Sequence, residues 1–441
     1  MFKKIWHWSL LVFLFLLPWQ TRWIYGPAYL NGNFWEYGSL SWYATELLLW
    51  FTIIMFAIEQ FFFHHNWPHL FGKIHFRAHF SHLLITLGFV GFLLLEVFHS
   101  TNVTLSYNFV FHVLEGLCLF IVIASAAIPK QKLMLALWSG GVLQSILGLV
   151  QFFTQHIGAN KWLGLAYQSP AQLGSFVIET HTERWLRAYG SFGSPNIFGA
   201  YLALMLVIGL LLYVKSKPWH KIIYTLGQAF ILLGLIFSFS RGAWISATLG
   251  LFTYGSWLVF EAFMFRHRPF WSRMRPVGLF LKQLIFYAII VAFASTLFQS
   301  LFAVRFDPSY RLEQRSITER LNQYAVAGNL IKQYPFLGIG PEVYTLKLFE
   351  NNPLLNVWDL QPVHNVWLLI LAEWGIVGFV IWLAVFIMIG KKMWAENMLY
   401  CGLFVTLIVA SFFDHFWWSM YVGQMLWWVV MGLIFLPKNE V

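Results

Sequence analysis

Three arginines and one histidine carry the chemistry legible in this chain. Arg187 stands ahead of Gly190 and Ser194-Pro195-Asn196, Arg241 sits in Ser240-Arg241-Gly242, Arg320 lies between Arg305 and His364, and His364 precedes Asn365. A guanidinium stays charged and offers a planar fork of donors, which suits a phosphate. A histidine takes or gives a proton near neutral pH. Together they suit a displacement on a phosphate-bearing substrate, with arginines holding the charge and the imidazole accepting a proton from an attacking hydroxyl.

Each local pattern has a chemical and a plain reading. Ser194 is placed to cap a helix whose first residue is Pro195, and the free amides of such an end bind phosphate. Gly190 and Gly193 would let backbone approach a ligand closely, with Asn196 in support. The plain reading is a capped helix with a snorkelling arginine. Arg241 in its tight turn, beside Ser240, reads either as a ligand-binding residue or as an interfacial anchor. Gly338-Ile339-Gly340-Pro341 offers a turn whose amides could hold an anion. Arg305, Arg311 and Arg315 read as solvated surface. His364-Asn365 opens an apolar helix containing Glu373 and Gly375, and a capping or interfacial histidine is its plain alternative.

Metal chemistry finds little support in the sequence. No outer segment carries a DxD-like carboxylate pair, and there is no HExxH. Metal-dependent sugar transfer and zinc proteolysis therefore lose ground. The histidines from His64 through His69, His75 and His79 match no zinc spacing and read as an interfacial loop. No metal ligand set and no cofactor is expected. Among acidic residues inside apolar stretches, Glu115, Glu373 and Asp414 are the carboxylates to watch, because buried carboxylates mark proton or ion paths.

The elements that must position these groups are membrane helices. The chain has 441 residues, 59% of them hydrophobic and 10% charged, with mean hydropathy +0.66. A soluble domain carries about 25% charged residues. The 24 tryptophans suit many helix ends at a membrane interface. A net charge of +10 invites a nucleic-acid reading; we reject it, because most basic residues sit in short loops beside apolar runs. A span takes roughly 20 apolar residues. Twelve are expected, at 5–24, 42–63, 81–99, 107–128, 132–154, 193–214, 221–239, 242–264, 283–304, 365–389, 396–413 and 416–436. The N-terminal apolar run lacks a small-residue cleavage site and reads as a retained first helix.

With both termini cytoplasmic, 17 of the 28 Lys/Arg fall in cytoplasmic segments, as the positive-inside rule requires. The short outer segments hold only Arg22 and Arg241, and two long ones hold the other nine. Arg305–His364 is the larger, with six Lys/Arg. Within it Leu321, Tyr324, Ala325, Leu330 and Ile331 repeat at helical spacing, which puts Arg311 and Arg315 on one face.

Taken in order, Arg187-x-x-Gly190 with Ser194-Pro195-Asn196, Ser240-Arg241-Gly242, Arg320 with Tyr334-Pro335-Phe336-Leu337-Gly338-x-Gly340-Pro341, and His364-Asn365 with Glu373-Trp374-Gly375-x-x-Gly378 resemble the bacterial O-antigen ligase/polymerase family of membrane glycosyltransferases. The resemblance covers roughly residues 185–390 and the overall topology. It implies one integral membrane domain over 1–441, all-α and polytopic, GT-C-like, with about twelve helices and a large extracytoplasmic loop at 305–364. It implies transfer of a glycan from undecaprenyl pyrophosphate to a lipid, glycan or protein acceptor at the outer face of the bacterial inner membrane. Arg187, Arg241 and Arg320 would bind the pyrophosphate and His364 would activate the acceptor hydroxyl, with inversion. Asn196, Ser240, Gly338, Gly340, Asn365 and Glu373 would support them. A repeat-unit polymerase of the same family is one alternative. A transporter or flippase for lipid-linked oligosaccharide is another, for which inverted repeats and broken mid-membrane helices are expected.

Overall fold

Long apolar runs set the architecture. The structure, a computed structural model, describes residues 2–63, 80–126, 128–264 and 269–436. The histidine run from His64 to His79, with Lys73 and Arg77, lies outside them, as do Arg266, Arg268 and Lys438. The helices are α1 (Phe2–Leu16), α2 (Ala44–Phe63), α3 (Phe80–His99), α4 (Val103–Ser125), α5 (Lys130–Thr154), α6 (Pro195–Lys215), α7 (His220–Phe237), α8 (Arg241–Met264) and α9 (Phe270–Leu297). After these come α10 (Gln299–Phe306), α11 (Arg311–Gln333), α12 (Tyr344–Asn351), α13 (Val366–Glu396), α14 (Cys401–Ala410), α15 (Phe416–Ser419) and α16 (Tyr421–Phe435). A helix lies on each of the twelve expected stretches. Among the described residues, eight helices are long and apolar enough to cross a membrane.

Several boundaries differ from those expected, for identifiable reasons. The stretch 5–24 stops being helical at Leu16, two residues before Pro18, because proline breaks the helical ladder. Its remainder becomes β1 (Arg22–Gly26), paired antiparallel with β4 (Leu40–Tyr43); β2 (Tyr29–Leu30) and β3 (Asn33–Phe34) form a small hairpin between them. Helix α9 begins at Phe270 rather than 283: Arg273, Arg275, Pro276 and Lys282 interrupt the apolar run of its first turns, yet they continue the same helix. The stretch 416–436 divides at Met420, which is extended.

The polar connections meet at the two ends of the bundle. Thr21 Oγ1 donates to Trp162 O at 2.7 Å, Asn31 Nδ2 to Pro353 O at 2.8 Å, and Ser106 Oγ to Pro341 O at 2.9 Å. These join the 17–43, 155–194 and 298–365 regions and the first turn of α4 at one end. At the other, Lys130 Nζ reaches Asn397 Oδ1 at 3.4 Å and Asn397 Nδ2 reaches Ile434 O at 2.5 Å. Segments that the alternation of spans assigns to one side thus gather at one end. Helix α6 is the hub, with 94% of its apolar window buried, packed against α7, α8 and α5. The strand pair β5 (Val177–Glu179) and β6 (Arg184–Leu186) leads into its N-terminus.

Helix α13 is broken. Gly375 has φ 60° and ψ −166° inside it, which frees carbonyls that a straight helix would use. The turn after α11 takes them: Ile339 N donates to Ala372 O at 3.1 Å and Gly340 N to Glu373 O at 2.9 Å. In return Ile376 N donates to Pro335 O at 2.9 Å and Val377 N to Phe336 O at 3.2 Å. Non-helical backbone at membrane depth must be satisfied by protein or line a wet cavity; here protein satisfies it. Both turns require glycine. Gly338 has φ +70°, and a Cβ on it would strike the Glu373 carbonyl; a Cβ on Gly375 would strike the Phe336 carbonyl.

Candidate active site

The Ser240-Arg241-Gly242 turn opens into a cleft of about 340 Å³ at the end of the bundle where the long loops gather. The wall of this cleft includes Asn196, Ser240, Arg241, Arg305, Arg320, Tyr324 and Asp414. Its size is that of a small-ligand site.

Its cationic wall is held by one carboxylate. Glu313, 3% exposed, faces inward from the first turn of α11. It pairs with Arg305 and with Arg241 Nη2 at 3.1 Å. Arg305 Nε donates to Phe239 O at 2.8 Å, and Arg241 Nη1 to Arg305 O at 3.3 Å. Burial pulls the Arg305 guanidinium below its ordinary range, while Glu313 opposes. Arg320 has no hydrogen bond or ion pair among the described residues, so its donors are free for a ligand. Two arginines share one carboxylate and a third is uncommitted, which leaves the wall in want of an anion.

Arg187 plays a different part from the one expected. It is 5% exposed and is not among the residues lining the cleft. Its Nε donates to Ser238 O at 2.7 Å and its Nη2 to Asn196 Oδ1 at 2.8 Å. Burial, then repulsion from Arg305, pulls its guanidinium well down, with Tyr189 and Glu313 opposing and Arg241 adding to the fall. Arg187 therefore ties the α6 N-terminus to the turn that presents Arg241. Ser194 does cap α6, accepting from Asn196 N at 3.2 Å. Gly190, however, faces Gln144 and Phe198 rather than open space.

His364 does not line the cleft itself; it stands behind Asp414, which does. His364 Nδ1 lies 3.6 Å from Asp414 Oδ2, and the two come from the start of α13 and the loop before α15. Asn365 caps α13, accepting from Leu368 N at 3.1 Å, and Val366 N donates to Ser411 O at 2.8 Å. These contacts clamp the His364 and Asp414 backbones together. Burial pushes the Asp414 carboxyl up, but the interaction with His364, then His415 and Arg320, outweighs it and leaves the group below its ordinary range. His415 lies beside His364, ring centroids 5.1 Å apart and tilted by 40°; burial lowers its imidazole to about 4, so it is neutral at pH 7. Its Nδ1 lies 2.6 Å from Ser419 Oγ. His364, Asp414 and His415 also bring ligand atoms within 4.8 Å of one another.

The Gly338–Pro341 turn and Glu373 stand outside the cleft. The expected anion-holding amides of Ile339 and Gly340 are spent on α13. Glu373 is buried and accepts from Trp418 Nε1 at 2.7 Å. The Arg305 expected at the surface is buried, whereas Arg311 and Arg315 are exposed and paired with Glu179 and Glu319. Glu313 carries no mark in the sequence, because it sits in a charged run that looks solvated. Asp414 stands out by its apolar surroundings, but nothing in the sequence pairs it with His364.

An apolar helical bundle with a polar cleft at one end defines a multi-pass membrane protein. Residues 226–383 match the family model described as O-antigen ligase. The matched region holds Arg241, Arg305, Glu313, Arg320 and His364; Arg187, Asn196 and Asp414 flank it. No curated protein matches the chain.

Proposed function

We propose that this protein transfers a glycan from undecaprenyl pyrophosphate to an acceptor hydroxyl at the outer face of the inner membrane. The observation that carries the reading is a carboxylate-backed histidine beside a cleft walled by Arg241, Arg305 and Arg320. Asp414 faces Nδ1 of His364, which favours the tautomer with its proton there and leaves the Nε2 lone pair for the acceptor. The acceptor oxygen bonds to the anomeric carbon as the bond from that carbon to the pyrophosphate oxygen breaks, and configuration inverts. The hydroxyl proton passes to His364, and the departing electron pair stays on the pyrophosphate. Arg241 and Arg320 meet that charge; fixed charges in a partly dry cleft stabilise it far better than water does. Guanidinium charge supplies this without requiring a metal.

Tyr324, Ile317 and Leu321 give the same cleft an apolar flank suited to a lipid-linked donor. The acceptor, whether lipid, growing glycan or protein, is read from the product. The test is transfer by purified protein in proteoliposomes carrying lipid-linked glycan and acceptor. His364→Ala is expected to lower transfer by about 100-fold or more, with donor retained on its lipid. Normal transfer by that variant overturns the assignment, and donor translocation without product favours a flippase.

A further inference from the structure

A second cluster of ionisable side chains lies apart from the arginine cleft. Glu46 from α2 and His112 and Glu115 from α4 bring one ligand atom each within 4.8 Å of one another. All three are buried, at 1%, 6% and 0% exposure. His112 Nε2 is 3.8 Å from Glu46 Oε1. No Lys or Arg pairs with either carboxylate among the described residues.

Two observations outside the cluster geometry point to a missing ligand. Neither oxygen of Glu115 has a well-formed hydrogen bond among the described residues, its nearest polar neighbours being Trp50 and Glu46, and the hydroxyl of Tyr421 has none either. Tyr421 is 3% exposed and packs on His112, ring centroids 5.4 Å apart. Secondly, the neighbouring cavity of about 70 Å³ is lined by His112, Tyr421, Glu36, Glu342 and Glu373, with Arg22 tied to Glu36 at 2.6 Å. Buried carboxylates without partners are costly unless paired, neutralised or bound to a metal. An acidic vestibule favours arrival of a cation.

We infer that Glu46, His112 and Glu115 form a binding site for a divalent transition-metal ion of the Zn²⁺ type. Two carboxylates and a neutral imidazole sum to −2, which such an ion cancels. The mixed oxygen and nitrogen set suits Zn²⁺ or Mn²⁺ over Mg²⁺, which takes oxygen ligands. Tetrahedral zinc with bonds near 2.1 Å sets ligand atoms roughly 3.4 Å apart, so a small side-chain rotation closes the trio. Tyr421 or a water completes four ligands. The ion would fasten α2 to α4; it shares no residue with the arginine cleft.

The test is metal content and Zn²⁺ titration of the purified full-length protein in detergent, with Mn²⁺ in parallel. One ion per chain is expected in the wild type. Glu115→Gln and Glu46→Gln, which keep volume and remove charge, should each weaken Zn²⁺ binding at least tenfold while still eluting as a single species. Either variant alone suffices if the other fails to fold. His364→Ala should bind as the wild type does. Absence of stoichiometric Zn²⁺ or Mn²⁺ in the wild type overturns the proposal. So does binding that survives in the glutamine variants or disappears in His364→Ala, which would place the ion at His364, Asp414 and His415.

Discussion

Two glycine-bearing turns, Ser240-Arg241-Gly242 and Gly338-Ile339-Gly340, look alike as anion sites but do opposite things. In the first, hydrogen bonds from Arg187 and Arg305 to the Ser238 and Phe239 carbonyls fix the turn, and Arg241 is left facing a cleft. In the second, the amides are consumed by the broken helix α13. The difference teaches that a flexible turn binds a ligand only if the protein has not already claimed its donors. It also separates arginines that support from arginines that serve: Arg187 is spent on Ser238 and Asn196, whereas Arg320 is unspent.

The comparison breaks most visibly at the second turn. Gly338→Ala and Gly375→Ala each force a side chain against a carbonyl at positive φ. Strain and overpacking together should cost at least ~3 kcal/mol, read as lost folded yield or a sharply lower Tm. Gly193→Ala, with nothing within 4 Å of the added carbon, should change Tm little. If Gly338→Ala folds normally but loses donor binding, the turn is a ligand site after all. Glu313→Gln comes next. It leaves Arg305 and Arg241 without their shared counter-charge, and removing one partner from a buried pair costs about 3 kcal/mol; denaturant unfolding would measure it. Arg320→Ala should then reduce transfer about tenfold or more, while Arg315→Ala, whose partner Glu319 is also exposed, stays within about twofold. Equal losses would dissolve the distinction between cleft and surface.

A smaller effect concerns acid. The folded Asp414 titrates below its ordinary value of 3.8. Its contribution to stability is therefore present above about 4 and fades as pH falls through the lower folded value. Wild-type Tm should drop more steeply than that of Asp414→Asn on acidification below pH 4. A parallel decline in both would show that His364, His415 and Arg320 do not stabilise the charge.

Much of the site was legible because charge is rare in so apolar a chain. Arg241, Arg320 and His364 stood out for that reason, and the hydropathy pattern marked the helices that carry them. A separation of 50 positions hid the pairing of His364 with Asp414, since it depends on how α13 meets the loop after α14. Glu313 was hidden by company: among Arg311, Arg315 and Glu319 it reads as solvated, and only the helix face turned to Arg305 buries it. Gly338 and Gly340 announced a close approach without saying what approaches. Pro18 was a breaker whose local rule outweighed an apolar run.

The proposed function places the pyrophosphate of the donor in the cleft at Arg241. Binding of undecaprenyl pyrophosphate to purified wild type, Arg241→Ala and Arg320→Ala tests it without requiring turnover. Each substitution should weaken binding about tenfold or more, with Arg315→Ala unchanged. Wild-type affinity in Arg241→Ala and Arg320→Ala would contradict the assignment.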